Sequence, residues 1–361
     1  MPDAQRRERV RREPGRRLSA VRGRSSWMPW VLMVAAGMGA FAVVDLVIHV
    51  GWQRIEQTMA AAGFGLLWVI PLRLLTVGLD TRGWRALLKV RRQASWAVLF
   101  WLGMVRDAVN TLLPVARVGG EVIAIRLLGL RGVKTCTASA SVIVETSVTL
   151  VWQVVLTVAG IVALLPYVGA SFLVPKLLGT AALGVFVVAV FLAIQLRIGL
   201  VRFFERVTGR LFRNRHVTSA VLRSLDYKVR ILYRQRGALL RCAMWQLLGF
   251  VASATEIFLL SYLMDASLSL MQVFIFEALI QALHSVSFAV PGALGIQEGG
   301  FLLLGSVFGI APDIALSLAL CRRGRQIVLG VPVLISWQWF EKRHKQRELR
   351  EELATLPAVS G

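Results

Sequence analysis

Six long apolar runs, at about 28–50, 63–80, 135–165, 172–196, 239–263 and 313–339, alternate with polar segments along the chain. Each is near the roughly 20 residues that let a helix cross about 30 Å of hydrocarbon, and none shows the two-residue alternation of a barrel strand. Backbone groups in lipid must be satisfied within the segment itself, so the pattern predicts an all-α, polytopic membrane protein with six full spans. Two further regions, 97–130 and 271–311, have to leave and return on the same side for the spans to connect. Both are predicted to be helical hairpins. Their second arms are short and Gly-rich, and each follows a proline, Pro114 or Pro291. That combination favours broken or re-entrant helices buried by surrounding protein, with full crossing left open.

Charge gives these elements a direction. Nine arginines lie within residues 1–24, five Lys or Arg in 82–92, twelve in 197–241 and five in 342–350, whereas 51–62 holds only Arg54 and 166–171, 265–270 and 310–312 hold none. By the positive-inside rule both termini are cytoplasmic. The expected organisation is a cytoplasmic Arg-rich tail over 1–27, one membrane domain over 28–340 with halves at 28–168 and 169–340, and a cytoplasmic tail over 341–361. The run from Met28 exceeds the 7–15 residues of a signal-peptide core and has no small-residue cleavage site, so it reads as a retained span. In 197–236, arginines interleave with Leu, Phe, Val and Tyr. This is an amphipathic segment suited to anionic headgroups, or else a solvated cytoplasmic loop.

Composition adds exclusions. The 361 residues are 56% hydrophobic and 17% charged, which rules out an ordinary soluble domain. A net charge of +22 would point to nucleic acid in a soluble protein, but here the bases sit between apolar runs, so no nucleic-acid partner is expected. Cys136, Cys242 and Cys321 are far apart, as are His49, His216, His284 and His344, and neither set has metal-ligand spacing. No metal and no cofactor is expected. Most tryptophans fall near span ends, where they serve as interfacial anchors, and Arg73 and Asp80 read as residues reaching toward the cytoplasmic interface.

The order of elements is span, span, hairpin, span in each half, with opposite orientation in the second, as in transporters built from inverted repeats. The hairpins match at residue level. Asp107 precedes Pro114 by seven and Glu121 follows it by seven; His284 and Glu298 stand at the same distances from Pro291. Helices restarting near Gly119 and Gly120, or after Gly292 and Gly295, would aim their positive ends at an anion, unless the Pro and Gly only make a tight turn.

An ionisable group at membrane depth costs at least about 2.5 kcal/mol, which makes each one a candidate site residue. Around the first hairpin these are Arg106, Asp107, Asn110, Arg117 and Glu121. Around the second they are Glu277, Gln281, His284, Gln297 and Glu298, of which Glu277, Gln281 and His284 share one helical face. Arg322, Arg323 and Arg325 stand nine to twelve residues beyond Asp313, a rise of about 14–18 Å that puts them near mid-membrane, where arginine's planar fork suits phosphate. Glu145 and Glu256 are also within spans but lack a local motif. A structural alternative is that these acids and arginines simply pair.

The segment Pro291-Gly-Ala-Leu-Gly-Ile-Gln-Glu-Gly-Gly resembles the P-G-G-x-G-x-x-E signature of the lysylphosphatidylglycerol synthase transmembrane region, or flippase-like, family. Asn110-Thr-Leu-Leu-Pro114 with Gly119-Gly120-Glu121 is similar to that family's other polar segment. The resemblance covers about 28–340, and the stand-alone build is similar to the membrane proteins associated with hopanoid biosynthesis. It implies a bacterial inner-membrane protein that moves polar or isoprenoid-derived lipids between leaflets, or assists the enzymes that make them. Ala293 and Gln297 stand where the signature more often has Gly and Arg, so a contact by that Arg does not carry over. Lysyl transfer is not expected, because no aminoacyl-transferase segment follows residue 340. No Walker A sequence is present.

The leading expectation is a non-enzymatic lipid translocase. Asp107, Asn110, Arg117, Glu121, His284, Gln297, Glu298, Arg322 and Arg325 would bind an anionic or polar headgroup or carry coupling protons. The alternatives are an integral-membrane transferase with Asp107 or His284 as base, and an accessory partner of lipid-biosynthesis enzymes.

Overall fold

The computed structural model describes residues 41, 43–88, 95–113, 119–168, 179, 186, 216–286 and 293–355. Among them there is no strand. Residues 43–50 are helical, and the helices that follow are α1 (Trp52–Ala62), α2 (Val69–Leu87), α3 (Trp96–Leu112), α4 (Gly119–Leu130), α5 (Thr135–Val168), α6 (His216–Arg234), α7 (Arg236–Leu263), α8 (Leu270–Val286), α9 (Ile296–Val307) and α10 (Pro312–Thr355). A 3-10 turn over Gly63–Trp68 joins α1 to α2. Three stretches are long and apolar enough to cross a membrane: Trp52–Leu87, Thr135–Val168 and Arg236–Leu263. The expected spans at 172–196 and most of 28–50 lie outside the described residues, as do Pro114, Arg117, Pro291 and Gly292.

The second half repeats the first. Gly119, Leu130 and Thr135 find their counterparts 177 residues later at Ile296, Val307 and Pro312, so α4 and α9 both have 12 residues and begin five after the predicted prolines. Their first arms, α3 and α8, both have 17. The turns into α5 and α10 are also the same. Gly132 and Gly309 have φ of 82° and 72°, a left-handed geometry that glycine adopts without strain. The next amides close matching six-residue caps, Val133 N to Leu128 O (3.1 Å) and Ile310 N to Gly305 O (2.8 Å).

Packing follows the repeat. α2 lies along its counterpart α7, α10 packs on α3, and α5 packs on α8, so each half lays its long helix against the other half's hairpin. Small residues allow the approach: a Cβ on Gly83 would sit 3.2 Å from Cys242 O, and one on Gly160 2.9 Å from Ala278 Cβ. Twelve residues rise only about 18 Å, so neither α4 nor α9 can cross roughly 30 Å of hydrocarbon alone.

Two placements differ from expectation. The described part of the basic segment, α6, buries Val229 and Leu232 against Leu87, Ala140 and Val144 of the protein instead of presenting them to lipid. Trp84 is not an interfacial anchor: it is 1% exposed, and its indole N–H donates to Ser141 Oγ at 3.2 Å.

Candidate functional site

The first hairpin closes on itself through Asn110. Its Oδ1 accepts from the Gly120 backbone N–H at 2.9 Å, capping the new helix, and its Nδ2 lies 3.5 Å from Glu121. Residue 120 has to be glycine for this, since a Cβ there would come within 2.5 Å of Arg106 O. Arg106 is shared between two acids, Glu121 and, at 2.5 Å, Glu145 of α5. Asp107 pairs with Arg73 of α2.

The second hairpin caps itself differently. Glu298, the third residue of α9, turns one oxygen back to the Gly295 N–H at 2.8 Å and gives the other to Arg323 at 2.7 Å. Arg322 donates to Glu277 at 2.6 Å and also to Ser253 O at 3.2 Å. Arg325 pairs with Glu256, and Gln281 donates to the free oxygen of Glu277 at 2.6 Å.

Between the hairpins and α2, α5, α7 and α10 lies a cavity of about 620 Å³, within the range that holds small ligands. Of the predicted residues, Asp107, Asn110, Glu121, His284, Gln297, Arg322 and Arg325 line it, whereas Glu298 is fully buried behind with Arg323. Gly119, Gly120 and Gly295 stand at the helix starts, as expected. The reading of Arg73 and Asp80 as interfacial is overturned, because both line the cavity together with Arg106, Glu145 and Glu277.

The electrostatic expectation also changes. Four arginines line the space, Arg73, Arg106, Arg322 and Arg325, against five carboxylates, Asp80, Asp107, Glu121, Glu145 and Glu277. Each of these arginines already holds an acid. The two helix starts are likewise occupied, by Asn110 and Glu298. Arg322 and Arg325 therefore do not wait uncommitted for a phosphate, because a guanidinium this deep is too costly to leave unpaired. Buried polar atoms left without a hydrogen-bond partner among the described residues include Gln246 Oε1 and Gln297 Oε1, one oxygen each of Glu121 and Glu256, and the Nε–H groups of Arg322 and Arg325.

All of these ion pairs stay within one half. Bonds across the halves at the cavity are neutral: Gln246 Nε2 to Thr149 Oγ1 at 2.9 Å, and Trp152 Nε1 to Ala243 O at 3.0 Å. The halves also exchange signs. Glu145 and Arg322 occupy the same repeat position, 177 residues apart, so the first half sets its base on the hairpin and its acid on the long helix, and the second does the reverse. That offset, applied to the whole chain and not to the hairpins alone, is the signal that would have raised Glu145 above a secondary candidate.

The family described as Lysylphosphatidylglycerol synthase TM region matches residues 30–333. A "UPF0104 membrane protein" of Methanothermobacter thermautotrophicus (strain Delta H) is 25% identical over 314 residues, covering 81% of this chain and 89% of that one. No solved structure matches.

Proposed function

The chain belongs to the family of the lysylphosphatidylglycerol synthase transmembrane region, as a multi-pass membrane protein, and from that premise we propose that it moves a polar-headgroup lipid between leaflets. The observation that carries this reading is a charged cavity enclosed by both hairpins of an inverted repeat, in a domain whose outer surface is apolar. Hydrocarbon has no place among ten ionisable groups and Gln246, Gln281 and Gln297. The headgroup occupies the cavity while the chains remain in the surrounding lipid.

Confining charge pairs to each half has a mechanical consequence. Rocking one half against the other strains hydrogen bonds, small-residue contacts and the exposed Arg126–Glu341 pair, and among the described residues breaks none of the ion pairs that line the cavity. This is the low-cost motion that alternating access needs. Asp107 and Glu121 keep 34% and 20% of their side-chain surface, so they are the acids placed to exchange protons or bond a headgroup. The Lys and Arg distribution supports an orientation with both termini in the cytoplasm.

A leaflet-exposure assay tests the proposal. Purified protein in liposomes carrying a fluorescent phospholipid or isoprenoid-derived lipid should expose inner-leaflet probe to an impermeant quencher, and Asp107→Asn and Glu121→Gln should slow exposure at least tenfold. Wild-type rates in both variants would remove the cavity from the transport path.

A further inference from the structure

A second space, of about 610 Å³, lies on the opposite face of α2 from the central cavity. Thr76, Val77, Asp80, Thr81 and Trp84 face the central cavity, whereas Arg82, Arg85 and Ala86, which fall within about 100° of one another on the other side of the helix, face the second. Arg241 and Trp245 of α7 and Trp96 at the start of α3 complete it. Its chemistry is unlike that of the central cavity. Three arginines line it and no described carboxylate does, so it carries three positive charges without an internal counter-ion.

These guanidiniums are also available. Arg82 and Arg85 donate to no described residue, and Arg241 gives only its Nε–H, to Gly237 O at 3.1 Å within its own helix. Arg82 lies over the Trp245 ring, 5.1 Å from its centroid, which holds the planar fork in place with its N–H edges open. Trp96, stacked on Phe100 at 5.2 Å between centroids, supplies an apolar wall. All of this sits at the last turns of α2 and the first turns of α7, the end that the distribution of bases assigns to the cytoplasmic interface. Arginine forks that bind phosphate oxygens, tryptophans that favour headgroup depth and an adjoining apolar surface are jointly the features of a site for one kind of ligand.

We infer that Arg82, Arg85 and Arg241, with Trp96 and Trp245, form a binding site for the phosphate of an anionic phospholipid in the cytoplasmic leaflet. The lipid lies against α2 and α7 with its phosphate in the arginine cluster and its chains along the bilayer. Since α2 and α7 also form two walls of the central cavity, a lipid held here bears on the pair of helices about which the halves would move. The site itself does not rest on translocation.

The test uses the full chain in phosphatidylcholine nanodiscs containing a small fraction of spin-labelled phosphatidylglycerol, with the motionally restricted component read by electron paramagnetic resonance. Wild type should restrict phosphatidylglycerol in preference to spin-labelled phosphatidylcholine. Arg85→Gln, an exposed substitution that leaves the fold intact, should weaken that preference about fivefold, as expected for one interfacial arginine. The triple variant Arg82→Gln, Arg85→Gln and Arg241→Gln should abolish it, while Arg54→Gln, on α1, should not change it. Millimolar inorganic phosphate should fail to displace the lipid. Undiminished preference in both Arg85→Gln and the triple variant overturns the site, and displacement by inorganic phosphate reassigns it to a small anion. Glu121→Gln should keep the preference even where it loses translocation, so failure of either idea leaves the other standing.

Discussion

The two hairpins have arms of equal length and acids at the same helical position, yet water reaches them very differently. In the first, the side chains of Arg106, Asp107 and Glu121 retain 17, 34 and 20% of their surface. In the second, Glu277 and its partner Arg322 retain 1% and 6%, and Glu298 and its partner Arg323 retain 0% and 13%. Removing one member of a dry pair leaves an uncompensated buried charge, which costs about 3–5 kcal/mol, whereas a half-wet pair relaxes into solvent for about 1 kcal/mol or less. The comparison teaches that one motif has been put to two uses. The pairs of the second hairpin are the drier and costlier to break, and those of the first are the more accessible.

The strongest way to break this contrast is to remove an acid from each side. Glu277→Gln strips Arg322 of its nearest carboxylate and should lower stability in detergent by about 3–5 kcal/mol, read from thermal or denaturant unfolding, whereas Asp107→Asn should lower it by about 1 kcal/mol or less. Equal losses would mean that the two networks are equally structural. Next comes the glycine that admits Asn110 to its cap. Gly120→Ala drives a methyl toward Arg106 O and should cost about 1–3 kcal/mol, while Gly299→Ala, in open space on α9, should be neutral or gain about 0.5–1 kcal/mol in the same measurement. The sign exchange between halves can be sharpened by a double-mutant cycle. Arg106→Glu with Glu145→Arg gives the first half the polarity of the second, and the pair should recover about 1–3 kcal/mol relative to the sum of the single changes. A coupling near zero would show that Arg106 is held by Glu121 alone.

Much of this architecture was readable because lipid imposes few choices. Continuous apolar runs have to be helices, and three of them, at 63–80, 135–165 and 239–263, fall within helices long and apolar enough to cross. The spacing of acid to proline marked where the hairpin helices begin, since a chain broken at Pro and Gly restarts where a third-position acid can serve its first turn. Asp107, Asn110, Glu121, His284 and Gln297 were reachable by the same cost argument, and all five line one cavity. Arg73, Asp80 and Trp84 were misjudged because distance from a span end says nothing about which face of a helix meets protein. α2 turns that face toward α3, α5 and α7.

The sequence by itself determined the helical class and the main apolar helices, because each follows from the solvation cost of a local segment. Partnership was decided only by tertiary structure. Whether Arg322 meets a phosphate or Glu277, and whether Glu145 stands alone or holds Arg106, depends on helices dozens of residues apart coming within hydrogen-bond reach. Local composition is blind to that distance. The fold also set the contrast between a paired, acid-rich central cavity and an unpaired arginine cluster one turn away on the same helix, since opposite faces of α2 meet different neighbours.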